Sequence, residues 1–131
     1  MYWMFRPFRR YATFSGRAPR IEYWSFVLLT AMVSGFVLIA LYGSAMAGLD
    51  LFWARHETLL LTCFLLLGAF NLFAVIPGLA VTVRRLHDTD RSGWTLLLAL
   101  IPLVGAVLLI YYYASPGTDG ENRFGPDPLE G

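Results

Sequence analysis

Two charge-free stretches, Tyr23 to Leu49 and Thr58 to Val83, decide what this chain can fold into. At 1.5 Å per residue the first amounts to about 40 Å of helix, more than the roughly 30 Å hydrocarbon core of a bilayer. With 57% hydrophobic residues and a mean hydropathy of +0.58, a soluble domain of this size would have to leave much apolar surface in water. The expected fold class is therefore all-α: an integral membrane helical bundle forming one domain over 1–131.

A polar island separates the second stretch from a third. Arg84-Arg85-Leu86-His87-Asp88-Thr89-Asp90-Arg91-Ser92-Gly93-Trp94 carries five full charges and a histidine. Each ion at mid-bilayer costs at least a few kcal/mol, so this island has to be a short loop at one membrane face.

The chain before the first span, 1–22, interleaves Tyr2, Trp3, Phe5, Phe8, Tyr11 and Phe14 with Arg6, Arg9, Arg10, Arg17 and Arg20. Rings at headgroup level and guanidinium groups on lipid phosphates suit a bilayer surface. Pro7, Ser15-Gly16 and Pro19 argue against one continuous helix here. Nucleic-acid binding by stacking is the competing reading; direct continuity with a membrane span speaks against it.

Within the first membrane segment, 23–49, Ala31 and Gly35 offer a flat strip to another helix. Ala45-Met46-Ala47 resembles a signal cleavage site, but the apolar region is far longer than the usual 7 to 15 residues, so an uncut anchor is expected. A short loop over 50–57 carries Asp50, Arg55, His56 and Glu57. In the second segment, 58–83, Asn71 lies near mid-depth, where an amide wants a partner across a helix interface. Pro77 frees a backbone carbonyl and predicts a kink. Cys63 has no disulfide or metal partner.

The third segment, 92–114, makes three transmembrane helices if it crosses completely. Ser92 or Asp90 is its candidate N-cap and Tyr111-Tyr112-Tyr113 its far aromatic belt. Pro102 and Gly105 interrupt it midway, and the alternative is a re-entrant hairpin that returns the tail, 115–131, to the starting side. All ten basic residues are arginine, as coding bias alone would also produce. Eight of them lie in the N-terminal segment and the Arg84 island, which by the positive-inside rule puts the N-terminus in the cytoplasm.

His87 beside Asp88 and Asp90 invites a metal or general-base reading, but one histidine with two carboxylates is a weak ligand set, and His56 belongs to the opposite face. Neither a phosphate-binding loop nor a dinucleotide motif occurs. No metal, cofactor or catalysis is expected. Asn71, Pro77 and Pro102 at membrane depth leave a small oligomeric transporter or channel as the alternative function. The primary expectation is a non-enzymatic protein, oligomeric or an accessory subunit of a membrane complex. Its arginine layer would bind anionic lipid or an acidic partner through Arg17, Arg20, Arg84, Arg85, His87, Asp88, Arg91 and Arg123, at about 1 kcal/mol per arginine. The competing reading makes these arginines topology determinants paired with Glu22, Asp88 and Asp90.

Three blocks carry a resemblance. Phe14 to Trp24 (FSGRAPRIEYW), Arg84 to Trp94 (RRLHDTDRSGW) and Gly120 to Pro128 (GENRFGPDP) are similar to the signature blocks of the YhaH-like family, domain of unknown function eight hundred and five. The resemblance covers nearly the whole chain. It implies a bacterial inner-membrane location and about three spans, and it assigns no activity. It also implies that the tail block is more than a loose end, so that Arg123 and Asp127 could meet Arg17, Asp88 and Arg91 on one face.

Overall fold

The computed structural model describes the backbone of residues 2–46 and 53–130 and the side chains of 2–43 and 61–130. Among them are five helices and no strand. Four are α-helices: α1 (Tyr2–Arg9), α2 (Arg20–Met46), α3 (Trp53–Asp88) and α4 (Val104–Ala114). A 3-10 helix, Gly93–Leu100, precedes α4. The Ala45–Ala47 motif and the side chains of Arg55, His56 and Glu57 lie outside the described side chains, and Asp50 lies outside the described residues. Of the loop predicted over 50–57, residues 53–57 are helical instead, since α3 begins at Trp53.

The helices α2 and α3 pack antiparallel. Glu22 meets Arg84, Phe26 lies beside Gly78, and Ser34 meets Asn71. Both helices contain a stretch long and apolar enough to cross a membrane, Arg20–Gly43 and Leu61–Asp88. Within the apolar 18-residue window of each, only 6% of α2 and 22% of α3 is buried inside the protein. The central helix of a soluble domain would be covered by its own chain, whereas these two leave most of their apolar surface open. α2 also supplies Tyr23 and Phe26 to the core.

That core sits at one end of the hairpin. Ala18, Tyr23, Phe26, Ala74, Val81, Leu86, Leu109 and Tyr113 form a single buried cluster. Phe8 of α1 stacks on Phe73 at 5.8 Å and tilts against Phe26 at 5.2 Å, which docks the N-terminal segment across both long helices. The expected interfacial segment is thus a short helix laid over the bundle, ending before the Ser15-Gly16 turn.

The third apolar segment is the hairpin. Its first limb is the 3-10 helix, capped by the Ser92 hydroxyl, which accepts the Trp94 N–H. Leu103 then takes φ 60° and ψ −63°, and Val104 N–H donates to Pro102 O at 2.7 Å, a tight γ-turn. The second limb, α4, is about 17 Å long by its rise per residue, too short to cross, and brings the chain back. A side chain at position 105 would put its Cβ 1.7 Å from the Leu98 carbonyl oxygen, so only glycine lets the limbs approach this closely. The expectation of a third full span over 92–114 is corrected accordingly: a turn at Pro102 to Val104 reverses the chain. The tyrosines expected as a far belt lie at the polar end instead, with Tyr113 4.7 Å from Tyr23 and Tyr112 under Arg91.

Candidate functional site

At the core end of the hairpin lies a layer of buried charge. Arg17, Glu22, Arg84, Arg85 and Asp88 are all at most 4% exposed. An ion cannot remain there unless other groups replace its water, and each of these residues has an oppositely charged partner elsewhere in the chain.

Asp88, the last residue of α3, takes two arginines. Arg17 Nε donates to Oδ1 at 3.0 Å, and Arg85 Nη1 donates to Oδ2. The remaining guanidinium hydrogens go to carbonyls of the tail and its approach. Arg17 reaches those of Thr118 and Gly120, and Arg85 reaches those of Tyr113 (3.1 Å) and Ser115. Two buried cations, one carboxylate and an arc of neutral carbonyls therefore tie the 17–20 turn, the end of α3 and the tail together. Gly117 sits against the carboxylate: a Cβ there would lie 2.5 Å from Asp88 Oδ2.

Glu22 makes the second centre. Its Oε1 accepts from Arg84 Nη2 at 2.9 Å, and Arg6 Nη1 lies 3.1 Å from Oε2. The Arg6 contact is close enough for charge attraction but lacks hydrogen-bond alignment. Arg84 keeps Nε and Nη1 buried without a hydrogen-bond partner among the described residues.

The end of α3 is closed by the island itself. Arg91 N–H reaches back to Leu86 O at 2.9 Å and Asp90 N–H to His87 O at 3.0 Å, with Asp90 at φ 55°. This is the paired-bond helix stop in which the residue after the cap turns left-handed, a role in which aspartate is tolerated. Asp90 is thus the stop of α3, and Ser92 alone caps the next helix. The tail completes the closure: Thr118 N–H donates to Asp88 O at 2.8 Å and Asn122 Nδ2 to His87 O at 3.0 Å.

His87 is held on two sides. Its Nδ1 lies 3.1 Å from Gly16 O, which can only accept, so Nδ1 carries the proton. Its ring stacks on Phe124, 3.9 Å between centroids. Asp88 is bound to Arg17 and Arg85, and among the described residues no hydrogen bond joins it to His87. Among the described residues no group of three His, Cys, Asp or Glu side chains gathers as a ligand set.

The eight predicted site residues therefore separate. Arg17, Arg84, Arg85 and Asp88 are interior. Arg20, Arg91 and Arg123 are exposed. Arg20 donates to Ala114 O at 3.2 Å, Arg91 lies 3.8 Å over the Tyr112 ring, and Arg123 pairs with Asp90 at 3.0 Å. The three helix-packing residues separate too. Asn71 exchanges a 3.3 Å hydrogen bond with Ser34 across the two long helices, Pro77 is buried inside α3, and Pro102 stands at the hairpin turn. A Cβ on Gly35 would meet nothing within 4 Å, so the Ala31/Gly35 strip is not used within the chain. Sequence reasoning missed the structural part of Arg6 and Asn122, and the backbone carbonyls of the tail carry no side-chain signal by which to find them.

These interlocked segments coincide with what the chain shares with other proteins. The family model DUF805, a protein of unknown function, matches residues 11–126. The chain is 43% identical over 130 residues to inner membrane protein YhaH of Escherichia coli strain K12, covering 98% of this chain and 97% of that protein. It is 38% identical over 131 residues to inner membrane protein YhaI of the same strain, covering 100% and 98%. Uncharacterized protein YiiR of that strain is 29% identical, covering 88% and 85%. No solved structure matches. From the turn before α2 to the tail that locks onto it, the chain belongs to the DUF805 family.

Proposed function

We propose that this protein is a non-enzymatic, multi-pass component of the bacterial inner membrane with a cytoplasmic N-terminus. In this reading it is oligomeric or an accessory subunit, and the outer arginines of its charged layer bind anionic lipid headgroups. The observation that carries the reading is the division of labour in that layer. Asp88 and Glu22 hold Arg17, Arg84 and Arg85 inside, while Arg9, Arg10 and Arg91 stand exposed outside that interior. A rigid interior positions the outer guanidinium groups at the level where the spans end, and there each contributes about 1 kcal/mol of attraction to an anionic leaflet. Two relatives named as inner membrane proteins support the location. The engagement of His87 and Asp88 with structural partners supports the non-enzymatic reading.

The test is lipid retention by purified protein in mild detergent, read by native mass spectrometry. Phosphatidylglycerol should be retained over phosphatidylcholine, and Arg9→Gln/Arg10→Gln/Arg91→Gln should lose about fivefold per arginine removed. Equal retention of the two lipids, with no acidic partner co-purifying, ends this reading. An acidic partner that co-purifies and leaves on the same substitutions moves the ligand from lipid to protein.

The Asn71–Ser34 pair, polar and at membrane depth, supports a second reading, a small transporter whose path forms between copies. Solute flux in proteoliposomes that survives Asn71→Leu counts against it.

A further inference from the structure

We infer that the cleft between the Arg17–Ile21 turn and the tail binds the headgroup of a zwitterionic phospholipid, a phosphate ester carrying a primary ammonium. The inference rests on the membrane location above and not on the binding of anionic lipid.

The cleft has a volume of about 340 Å³. Arg20, Asp119 and Asp127 line it, with the buried Arg17–Asp88 pair behind them. Opposite charges sharing one cleft would ordinarily pair, yet among the described residues no ion pair joins Arg20 to either aspartate. Arg20 spends Nη1 on Ala114 O, and Asp127 takes the Leu129 N–H on Oδ1 at 2.8 Å. The Asp119 carboxylate has no hydrogen-bond partner among the described residues. A ligand filling the space between this guanidinium and the two carboxylates has to offer both signs at once.

The charges narrow the ligand class. An anionic headgroup would meet Arg20 but also two carboxylates, and like charges disfavour it. A simple cation would meet the aspartates but also Arg20. A zwitterion satisfies both: phosphate oxygens accept from the guanidinium, and an ammonium donates to Asp119 and Asp127. The ammonium has to be primary. Carboxylates recognise it through N–H donors, which a quaternary amine lacks, and a quaternary amine calls for an aromatic cage. None of the residues lining the cleft is aromatic.

Position selects lipid over a soluble headgroup. Arg20 and Ile21 open the span of α2, so the cleft lies at the hydrocarbon boundary. Its rim carries the exposed apolar side chains of Ile21 and Leu129, where glycerol and acyl carbons would rest.

The experiment is competition among phosphatidylethanolamine, phosphatidylcholine and phosphatidylglycerol of identical acyl chains for the full-length protein, counted by native mass spectrometry. Phosphatidylethanolamine should be retained about tenfold over phosphatidylcholine, the worth of one charge-assisted hydrogen bond. Asp119→Asn, which touches no hydrogen bond of the fold, should reduce that ratio severalfold, and Asp119→Asn/Asp127→Asn should abolish it without lowering phosphatidylglycerol retention. Equal retention of the ethanolamine and choline lipids, or a preference that survives the double substitution, overturns the inference. So does soluble glycerophosphoethanolamine binding as tightly as the lipid. Loss of phosphatidylglycerol retention on substituting Arg9, Arg10 and Arg91 concerns the outer arginines alone and leaves the cleft standing.

Discussion

Tyr11 donates its hydroxyl to the backbone carbonyl of Phe73 at 2.9 Å, and Phe73 stands four residues before Pro77 in α3. A proline inside a helix has no N–H, so the carbonyl one turn earlier loses its normal partner. The segment before the first span supplies the missing donor, and the Tyr11 ring lies 4.9 Å from that of Phe73. A helix interruption in one apolar run is thus repaired by a residue far away in sequence.

Replacing Tyr11 by phenylalanine keeps the ring contact and removes the bond. The expected cost is about 1 kcal/mol, read as a lower thermal midpoint in detergent. Tyr42→Phe, on an exposed part of α2, serves as the control. Equal midpoints for the two variants would deny the hydroxyl its role.

Asp88→Asn should be far more damaging. It leaves Arg17 and Arg85 buried with no counter-charge, a loss of about 3–5 kcal/mol. The exposed Asp90–Arg123 pair gives the contrast, with both side chains roughly half open to solvent. Asp90→Asn should cost at most about 0.5 kcal/mol, since exposed pairs are screened and asparagine also accepts a positive φ. Midpoints of chemical unfolding in detergent compare them, and similar values would refute the buried network.

Gly105→Ala should open the hairpin, because the new methyl would collide with the Leu98 carbonyl. A loss of about 3 kcal/mol is expected, with faster hydrogen exchange confined to residues 93–114. Gly35→Ala meets empty space and should be neutral or slightly stabilising, since alanine is the better helix former.

The tail and the N-terminal segment should share one side of the membrane. In sealed vesicles of a Cys63→Ser background, Thr13→Cys and Glu121→Cys should react together with an impermeant maleimide or be protected together. Opposite accessibility would restore a complete third crossing.

The two long helices were legible because the signal for a span is length without charge, a property of each stretch alone. Pro102 and Gly105 marked the break in the third segment, but breaking a span and reversing it look alike in sequence. Arginine counting could not choose, since the tail holds one arginine, Arg123. Asp90 stood beside Ser92 as a candidate helix start, yet it stops the preceding helix and Ser92 starts the next: the same small polar side chain suits both places, and only the backbone angle separates them. The first helix, Tyr2–Arg9, was obscured by Pro7, which stands inside it.

By itself the amino-acid order marked two stretches long and apolar enough to cross a bilayer, and a polar island, Arg84 to Trp94, that cannot lie inside one. Both follow from the cost of moving charge into hydrocarbon, which any residue incurs whatever its neighbours. Which arginines turn inward was decided only by the tertiary structure. Arg17 and Arg85 can be buried because Asp88 and the carbonyls of Tyr113, Ser115, Thr118 and Gly120 converge on them. Arg20, with the same side chain, is left at the surface because no carboxylate reaches it. Burial of a charge depends on partners from elsewhere in the chain, and backbone carbonyls have no letter in the sequence.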